Sequence, residues 1–108
     1  MSDGRVERGA GGELRLSGVL DYQSGPALRR QGQALIRQAK GGRMSVDCAA
    51  VERSSSVGLS LLLAFMRDAQ QQGDELVITG LPEDMRELAR VSGLLDVLSL
   101  ADETEGAV

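Results

Sequence analysis

The chain has 108 residues, of which 42% are apolar and 26% are charged, and its formal net charge is −4. These values indicate one soluble globular domain with a single modest core. The sequence has no histidine and one cysteine, which excludes hydrolytic triads with a histidine member, internal disulfides and cysteine-rich metal sites. No metal ion or other cofactor is expected.

Charge and hydropathy also bear on partners and location. The negative net charge and the 2% aromatic content argue against nucleic acid as the main partner, and the basic stretch over residues 29–43 is interpreted as a solvated helix face. No apolar run approaches the roughly 20 residues that span a bilayer, and the N-terminus lacks the apolar segment of a secretory signal. We therefore expect a cytoplasmic protein without direct membrane insertion.

The N-terminal part of the chain predicts two strands and a helix. Over residues 5–20 a glycine-rich turn separates two short strands, and the second strand is expected to be half-buried. In that strand apolar residues alternate with polar ones at Leu14, Leu16 and Val19. Ser24 suits a helix cap, and the helix is expected to end at the glycines at 41–42.

The rest of the chain alternates between predicted strands and helices. MSVDCAAV is predicted to be a buried central strand, in which Cys48 is a core residue and not a reactive thiol. A leucine-rich helix then ends at Gly73, and ELVITG forms the next strand. A third helix begins at Leu81 and Pro82, and LLDVLSL contains a last short strand.

These elements define the predicted fold class. The order β-β-α-β-α-β-α-β indicates one α/β domain over residues 5–100. Its sheet is expected to be mixed but mostly parallel, with helices flanking it, because helical crossovers connect parallel strands. Residues 1–4 and 101–108 are expected to be flexible ends.

Three consecutive serines, Ser54, Ser55 and Ser56, stand between the central strand and the leucine-rich helix. One of them is expected to cap the helix, because a serine oxygen accepts a free N–H of the first turn. Gly58, just inside the helix, disfavours it by about 0.5–1 kcal/mol relative to alanine. Its presence therefore indicates the close approach of a neighbouring backbone or a partner.

A helical wheel places small and polar residues on one face of this helix, opposite the apolar stripe of Leu59, Leu62 and Met66. Leu61 and Phe65 are expected to border the polar face, which favours the docking of a partner protein. No residue is assigned to catalysis. The predicted partner-binding residues are Ser54, Ser55, Ser56, Val57, Ser60, Leu61, Ala64, Phe65 and Arg67.

Several segments together resemble the STAS domain. They are LRLSGVLD, MSVDCAAV, the run Ser56-Val57-Gly58-Leu59, and GDELVITGLPEDMRELARVSGLLDVL. The resemblance covers about residues 5–100 and implies the fold of anti-sigma-factor antagonists and of transporter-associated regulatory domains. It further implies an interaction module that is not an enzyme.

Two branches of this family differ in the loop before the helix. In anti-sigma-factor antagonists the pattern is Asp-Ser-Ser-Gly-Leu, and a partner kinase phosphorylates the serine before the glycine, where this chain has Val57. The MlaB-like branch comprises small cytosolic subunits of bacterial phospholipid-transport ABC complexes and has Asp-Thr-Gly-Gly-Leu. Ser56 keeps the hydroxyl of that threonine, and Ser55 replaces the aspartate of both patterns.

Resemblance to the MlaB-like branch implies a partner and a location. The partner is the ATPase subunit of an ABC transporter that maintains the lipid asymmetry of the outer membrane. Through this subunit the chain associates with the membrane permease and becomes peripheral to the inner membrane.

Two alternatives are open. An anti-sigma-factor antagonist is released from its kinase by phosphorylation, and Ser56 is the candidate acceptor that remains here. A small enzyme lacks support, because the sequence offers neither a suitable base, nor a metal cluster, nor a phosphate-binding loop.

Overall fold

The computed structural model describes residues 3–39 and 42–100. Within them lie four strands and three helices: β1 (Arg5–Arg8), β2 (Leu14–Leu20), α1 (Gly25–Gln38), β3 (Arg43–Ser54), α2 (Ser56–Gln71), β4 (Glu75–Thr79) and α3 (Glu83–Val91). The strands form one sheet in the order β1-β2-β3-β4. The predicted α/β class and the order of the first seven elements are confirmed.

The sheet is mixed, with β3 at its centre. A hairpin joins β1 to β2 as antiparallel neighbours, whereas β2 and β4 both run parallel to β3. Parallel neighbours need a crossover connection, and α1 and α2 supply the two that this sheet requires. The predicted central position of MSVDCAAV is thus confirmed, and Cys48 within it is fully buried.

The strands bury alternate residues against the helices. In β2 the buried residues are Leu14, Leu16, Gly18 and Leu20. Leu20, and not Val19, therefore continues the apolar pattern, because the strand keeps a period of two to its end. In β3 two register shifts opposite β2 change the phase, so Cys48 and Val51 are both buried while the two alanines between them are exposed.

The predicted last strand is reduced to a single parallel bridge between Ile78 and Leu100. After α3 the chain folds back, with the Leu94 N–H bonded to the carbonyl of Ala89, and only its last residues extend beside β4. At the other end Asp3 forms a parallel bridge with Val19. Of the termini predicted to be flexible, residues 1–2 and 101–108 lie outside the described residues. No helix in the described ranges is both long enough and apolar enough to cross a membrane.

Candidate docking site

Residues 54–57, named the serine segment below, connect the central strand to α2. Ser54 ends β3, Ser55 is the N-cap residue, and Ser56 is the first residue of α2. The Ser55 Oγ accepts a hydrogen bond from the Val57 N–H at 3.2 Å, and the Ser55 N–H donates to the carbonyl of Leu20 at 3.0 Å. The expectation that one serine caps the helix is confirmed, and the same residue ties the segment to β2.

Gly58 is required by contacts within this chain. A Cβ added there would lie 2.0 Å from the Ser54 Oγ, 3.1 Å from the Met85 Cε and 3.2 Å from the Leu20 Cδ1. The Ser54 hydroxyl cannot easily move aside, because it donates to the carbonyl of Ser55 at 2.7 Å. The close approach that the glycine indicates therefore comes from β2, β3 and α3, and needs no partner.

Ser56 and Val57 face different surroundings. Ser56 is exposed, and its hydroxyl has no hydrogen-bond partner among residues 3–39 and 42–100. Val57, in α2, is half-buried because its side chain packs against the start of α1. A Cβ added to Gly25 of α1 would lie 2.9 Å from the Val57 Cγ1. The segment thus presents a free hydroxyl to solvent and uses the following side chain to pack against the neighbouring helix.

The predicted polar face of α2 is open to solvent at Ser56, Ser60 and Arg67, and half-buried at Ala64. These residues follow one another at three- and four-residue spacing, so they form a continuous strip. This strip leads from the serine segment along the helix.

The placement of Leu61 and Phe65 at the border of that strip is wrong. Leu61 is 4% exposed and Phe65 is fully buried. The physical reason is that α2 packs on β4 and on α1 at once, so its buried arc is wider than the single stripe. The Phe65 ring lies beneath Gly32 of α1, where an added Cβ would be 2.4 Å from two ring carbons. Neither side chain offers a surface for a partner.

The turn between β2 and α1 also lies at this end of the sheet. The Asp21 Oδ1 accepts hydrogen bonds from the N–H groups of Gln23 and Ser24, both at 3.0 Å. Ser24 occupies the N-cap position of α1, but, contrary to the prediction, its side chain does not cap the helix. Its Oγ accepts instead from the Asp21 N–H and donates to the carbonyl of Val19. Tyr22 projects from this turn and is 76% exposed.

Tyr22 is the residue of this region that the pattern of the sequence did not indicate. It is the only tyrosine of the chain, and a lone aromatic after a strand is too common to be a signal by itself. The turn that holds it lies beside the serine segment because β2 is the neighbour of β3, which only the topology reveals.

Among the described residues no group of three or more cysteine, aspartate and glutamate side chains is placed to hold a metal ion.

A family model described as "Mlab, STAS domain" matches residues 4–100. The chain belongs to the STAS domain family. Members of this family are typically regulatory or partner proteins and not enzymes.

One curated relative of this STAS domain is the anti-sigma-B factor antagonist of Bacillus subtilis (strain 168). It is 26% identical over 96 residues, which cover 89% of this chain and 86% of the relative. The match therefore extends over most of the length of the relative.

The fold of this STAS domain is shared by several solved structures, two of which illustrate the range of their contexts. A chain of the Acinetobacter MlaFEDB complex in an ATP-bound conformation superposes with a TM-score of 0.76 at 24% identity, covering 89% of this chain and 100% of that one. An anti-sigma factor antagonist from Mycobacterium paratuberculosis superposes with a TM-score of 0.73 at 24% identity, covering 100% and 94%. At these identities the likeness establishes the common fold.

Proposed function

We propose that this STAS domain is a non-enzymatic subunit of an MlaFEDB-like ABC phospholipid transporter. It binds the ATPase subunit through the serine segment and the exposed strip of α2, and it stabilises or regulates the working form of that subunit. The chain is cytoplasmic and reaches the inner membrane through the ATPase and the permease. The transporter maintains the lipid asymmetry of the outer membrane.

The observation that carries this proposal is the environment of Val57. A phosphorylation switch needs an exposed hydroxyl at the position before Gly58, and the valine there has none and is half-buried against Gly25. Ser56 presents an exposed hydroxyl that makes no hydrogen bond within the described residues, and it matches the threonine of the MlaB-like pattern. The fold shared with a chain of the MlaFEDB complex supports the same assignment.

A second candidate function is that of an anti-sigma-factor antagonist in a kinase partner-switching module. Two observations favour it: the 26% identity to the anti-sigma-B factor antagonist, and the exposure of Ser56, which makes its hydroxyl accessible to a kinase. In this case phosphorylation moves from the residue before Gly58 to Ser56.

The two functions are separated by reconstitution with purified components. The ATPase and permease of an Mla-type transporter from the same organism are produced with and without this chain, and complex yield and ATP hydrolysis are compared. We expect both to fall without the chain, because a bound subunit shifts its partner towards the state that it binds better. Equal yield and equal hydrolysis in the two preparations contradict the proposal.

The kinase alternative has its own measurement. Intact-mass analysis of the chain purified from its native cells reports phosphorylation directly. Stoichiometric phosphate on Ser56 that disappears in Ser56→Ala, together with unchanged transporter activity, favours the antagonist.

A further inference from the structure

We infer that Tyr22 is an anchor residue of the docking site, and that its ring enters an apolar pocket with a basic rim on the ATPase subunit. This inference rests on the proposed function and adds to it a contact residue and the chemistry of the partner surface. Tyrosine is enriched among the few residues that dominate the free energy of protein association. A single exposed apolar side chain means little by itself, so the surroundings of Tyr22 carry the inference.

The turn that holds Tyr22 and the serine segment form one continuous surface. Leu20, at the end of β2, pairs with Ser54 at the end of β3, and its carbonyl accepts the N–H of Ser55 at 3.0 Å. On the other side of the turn, Val57 packs against Gly25. An open groove runs between the turn and the segment, and its lining includes Leu20, Asp21, Glu52, Arg53, Ser54 and Ser55. A partner that covers Ser56 therefore also meets the Tyr22 turn.

The backbone under Tyr22 is held in place before any partner binds. The Asp21 carboxylate accepts two backbone N–H groups, and the Ser24 hydroxyl accepts a third and donates to the carbonyl of Val19. Fixing a segment in advance lowers the entropy cost of binding, since less freedom remains to be lost. An exposed ring on such a turn is suited to insertion into a pocket.

The charges at this end of the sheet determine the rim of that pocket. The groove contains one basic residue, Arg53, and two acidic ones, Asp21 and Glu52. Glu83 and Asp84 lie in the first turn of α3, whose Met85 reaches Gly58. Arg53 and Arg86, together with the partial charge of about +0.5 at the start of α2, do not offset these four carboxylates. Complementarity therefore calls for basic residues on the partner.

The composition of the chain allows the burial of Tyr22 to be measured at a single atom. Because the chain has one tyrosine and one phenylalanine, 3-fluorotyrosine labels Tyr22 alone and 4-fluorophenylalanine labels Phe65 alone. Fluorine NMR with a soluble nitroxide reports how much solvent reaches each ring. On addition of the purified ATPase subunit we expect Tyr22 to become protected, whereas Phe65, fully buried in the free chain, stays protected throughout.

Variants measure the contribution of the ring. We expect Tyr22→Ala to weaken binding to the purified ATPase subunit by about 30-fold or more, and Tyr22→Phe to retain most of the affinity. Val91→Ala is the matched control, since Val91 is a 67% exposed apolar residue at the end of α3, and its dissociation constant should equal that of the wild type.

Charge reversal tests the basic rim. Glu52→Lys should weaken binding and flatten its dependence on salt, because it removes a favourable long-range attraction. Glu75→Lys makes the same charge change at the start of β4, where Glu75 pairs with Arg43 at the opposite end of the sheet. It should leave both quantities unchanged.

The outcomes separate this inference from the proposed function. If the wild type binds and Tyr22 stays as accessible to the nitroxide as in the free chain, the inference is overturned while the proposed function stands. Equal affinity of Tyr22→Ala and wild type has the same meaning. If the wild-type chain does not bind the ATPase subunit at all, both are overturned.

Discussion

Asp68 of α2 and Arg29 of α1 form a two-point ion pair between the helices. The guanidinium nitrogens lie 2.5 and 3.2 Å from the two carboxylate oxygens, and the Gln33 amide donates to the carboxylate at 3.3 Å. The Asp68 side chain is 5% exposed, whereas the Arg29 side chain is 37% exposed. The pair thus compensates a carboxylate that is removed from water by the packing of the helices.

Removal of Arg29 alone should therefore destabilise the domain. Arg29→Ala leaves a buried charged acceptor with Gln33 as its remaining side-chain donor, at a cost of about 1–3 kcal/mol in the free energy of unfolding. Arg30→Ala, an exposed neighbour on the same helix, should stay within about 0.5 kcal/mol of the wild type. Urea denaturation of both variants, with Asp68→Ala and the double variant to complete a cycle, measures the coupling. A coupling of zero contradicts this assignment.

The contact of Gly32 with Phe65 predicts that a residue with higher helix propensity destabilises α1. Gly32→Ala gains about 1 kcal/mol of helix propensity. However, the new Cβ would lie 2.4 Å from the buried ring, and overpacking of this kind costs about 1–3 kcal/mol. We expect a net loss of stability in urea denaturation. The loss caused by Gly32→Ala should be smaller when it is measured in the Phe65→Leu background, relative to Phe65→Leu alone. A stabilised Gly32→Ala would show that the helices separate at little cost.

Alanine substitution should lower the stability of the domain at Ser55 but not at Ser56. Ser55→Ala removes the N-cap of α2 and should lower the free energy of unfolding by about 0.5–2 kcal/mol. Ser56→Ala should change it by less than about 0.5 kcal/mol, since its exposed hydroxyl makes no hydrogen bond within the described part of the chain. Chemical denaturation of the two variants under identical conditions decides the assignment, which fails if Ser56→Ala is the more destabilised.

Binding to the partner, in contrast, should depend on the side chain at Ser56. Ser56→Arg places an unpaired charge in the docked surface and should abolish binding to the ATPase subunit, since burying such a charge costs several kcal/mol. Ser56→Thr keeps the hydroxyl and should bind nearly as the wild type does. Circular dichroism establishes that each variant is folded. Wild-type affinity of folded Ser56→Arg would locate the docking surface elsewhere.

Cys48 should be inert until the domain unfolds. Burial, and to a smaller degree the charge of Asp47, raise the pKa of the Cys48 thiol from 9.0 to about 12. Iodoacetamide at pH 8.5 should therefore alkylate the wild type quickly in urea and very slowly in its absence.

The same shift predicts a pH dependence of stability. The unfolded thiol ionises near its ordinary pKa of 9.0, whereas the folded thiol keeps its proton up to about 12. The contribution of Cys48 to stability is thus complete below pH 9 and declines as the pH rises towards 12. Cys48→Ala should lack this part of the decline, and identical pH profiles of the two proteins would contradict the prediction.

The fold could be predicted from the sequence where a strand or helix carries a complete apolar period. The alternation at Leu14 and Leu16 and the run around Cys48 are of this kind. The end of the chain was harder, since LLDVLSL is apolar enough for a strand. Its first part is bonded back to α3, and within the described residues only Ser99 and Leu100 reach Ile78 of β4. Such a return depends on tertiary packing, which an apolar run does not specify.

The candidate site could be predicted where the helical period of α2 alone determines exposure. The exposure of Ser56, Ser60 and Arg67 follows from the helical period of α2 alone. Leu61 and Phe65 were misplaced because the wheel assumes one buried stripe, whereas α2 packs against α1, β4 and α3. The turn that holds Tyr22 adjoins the serine segment only because β2 lies beside β3, and the order of strands in a sheet is not contained in any local pattern.

The central place of β3 also constrains how the chain acquires its structure. Its parallel pairings connect residues far apart in the chain, Leu14 with Val46 and Val46 with Ile78. Such contacts require large loops to close first, and they slow folding relative to local contacts. During synthesis the β1–β2 hairpin can pair early, because its two strands are adjacent in the chain. The backbone groups on both edges of β3 find their hydrogen-bond partners only after β4 has left the ribosome. A nascent chain halted before β4 therefore exposes an unpaired apolar strand, for which chaperones are the expected protection.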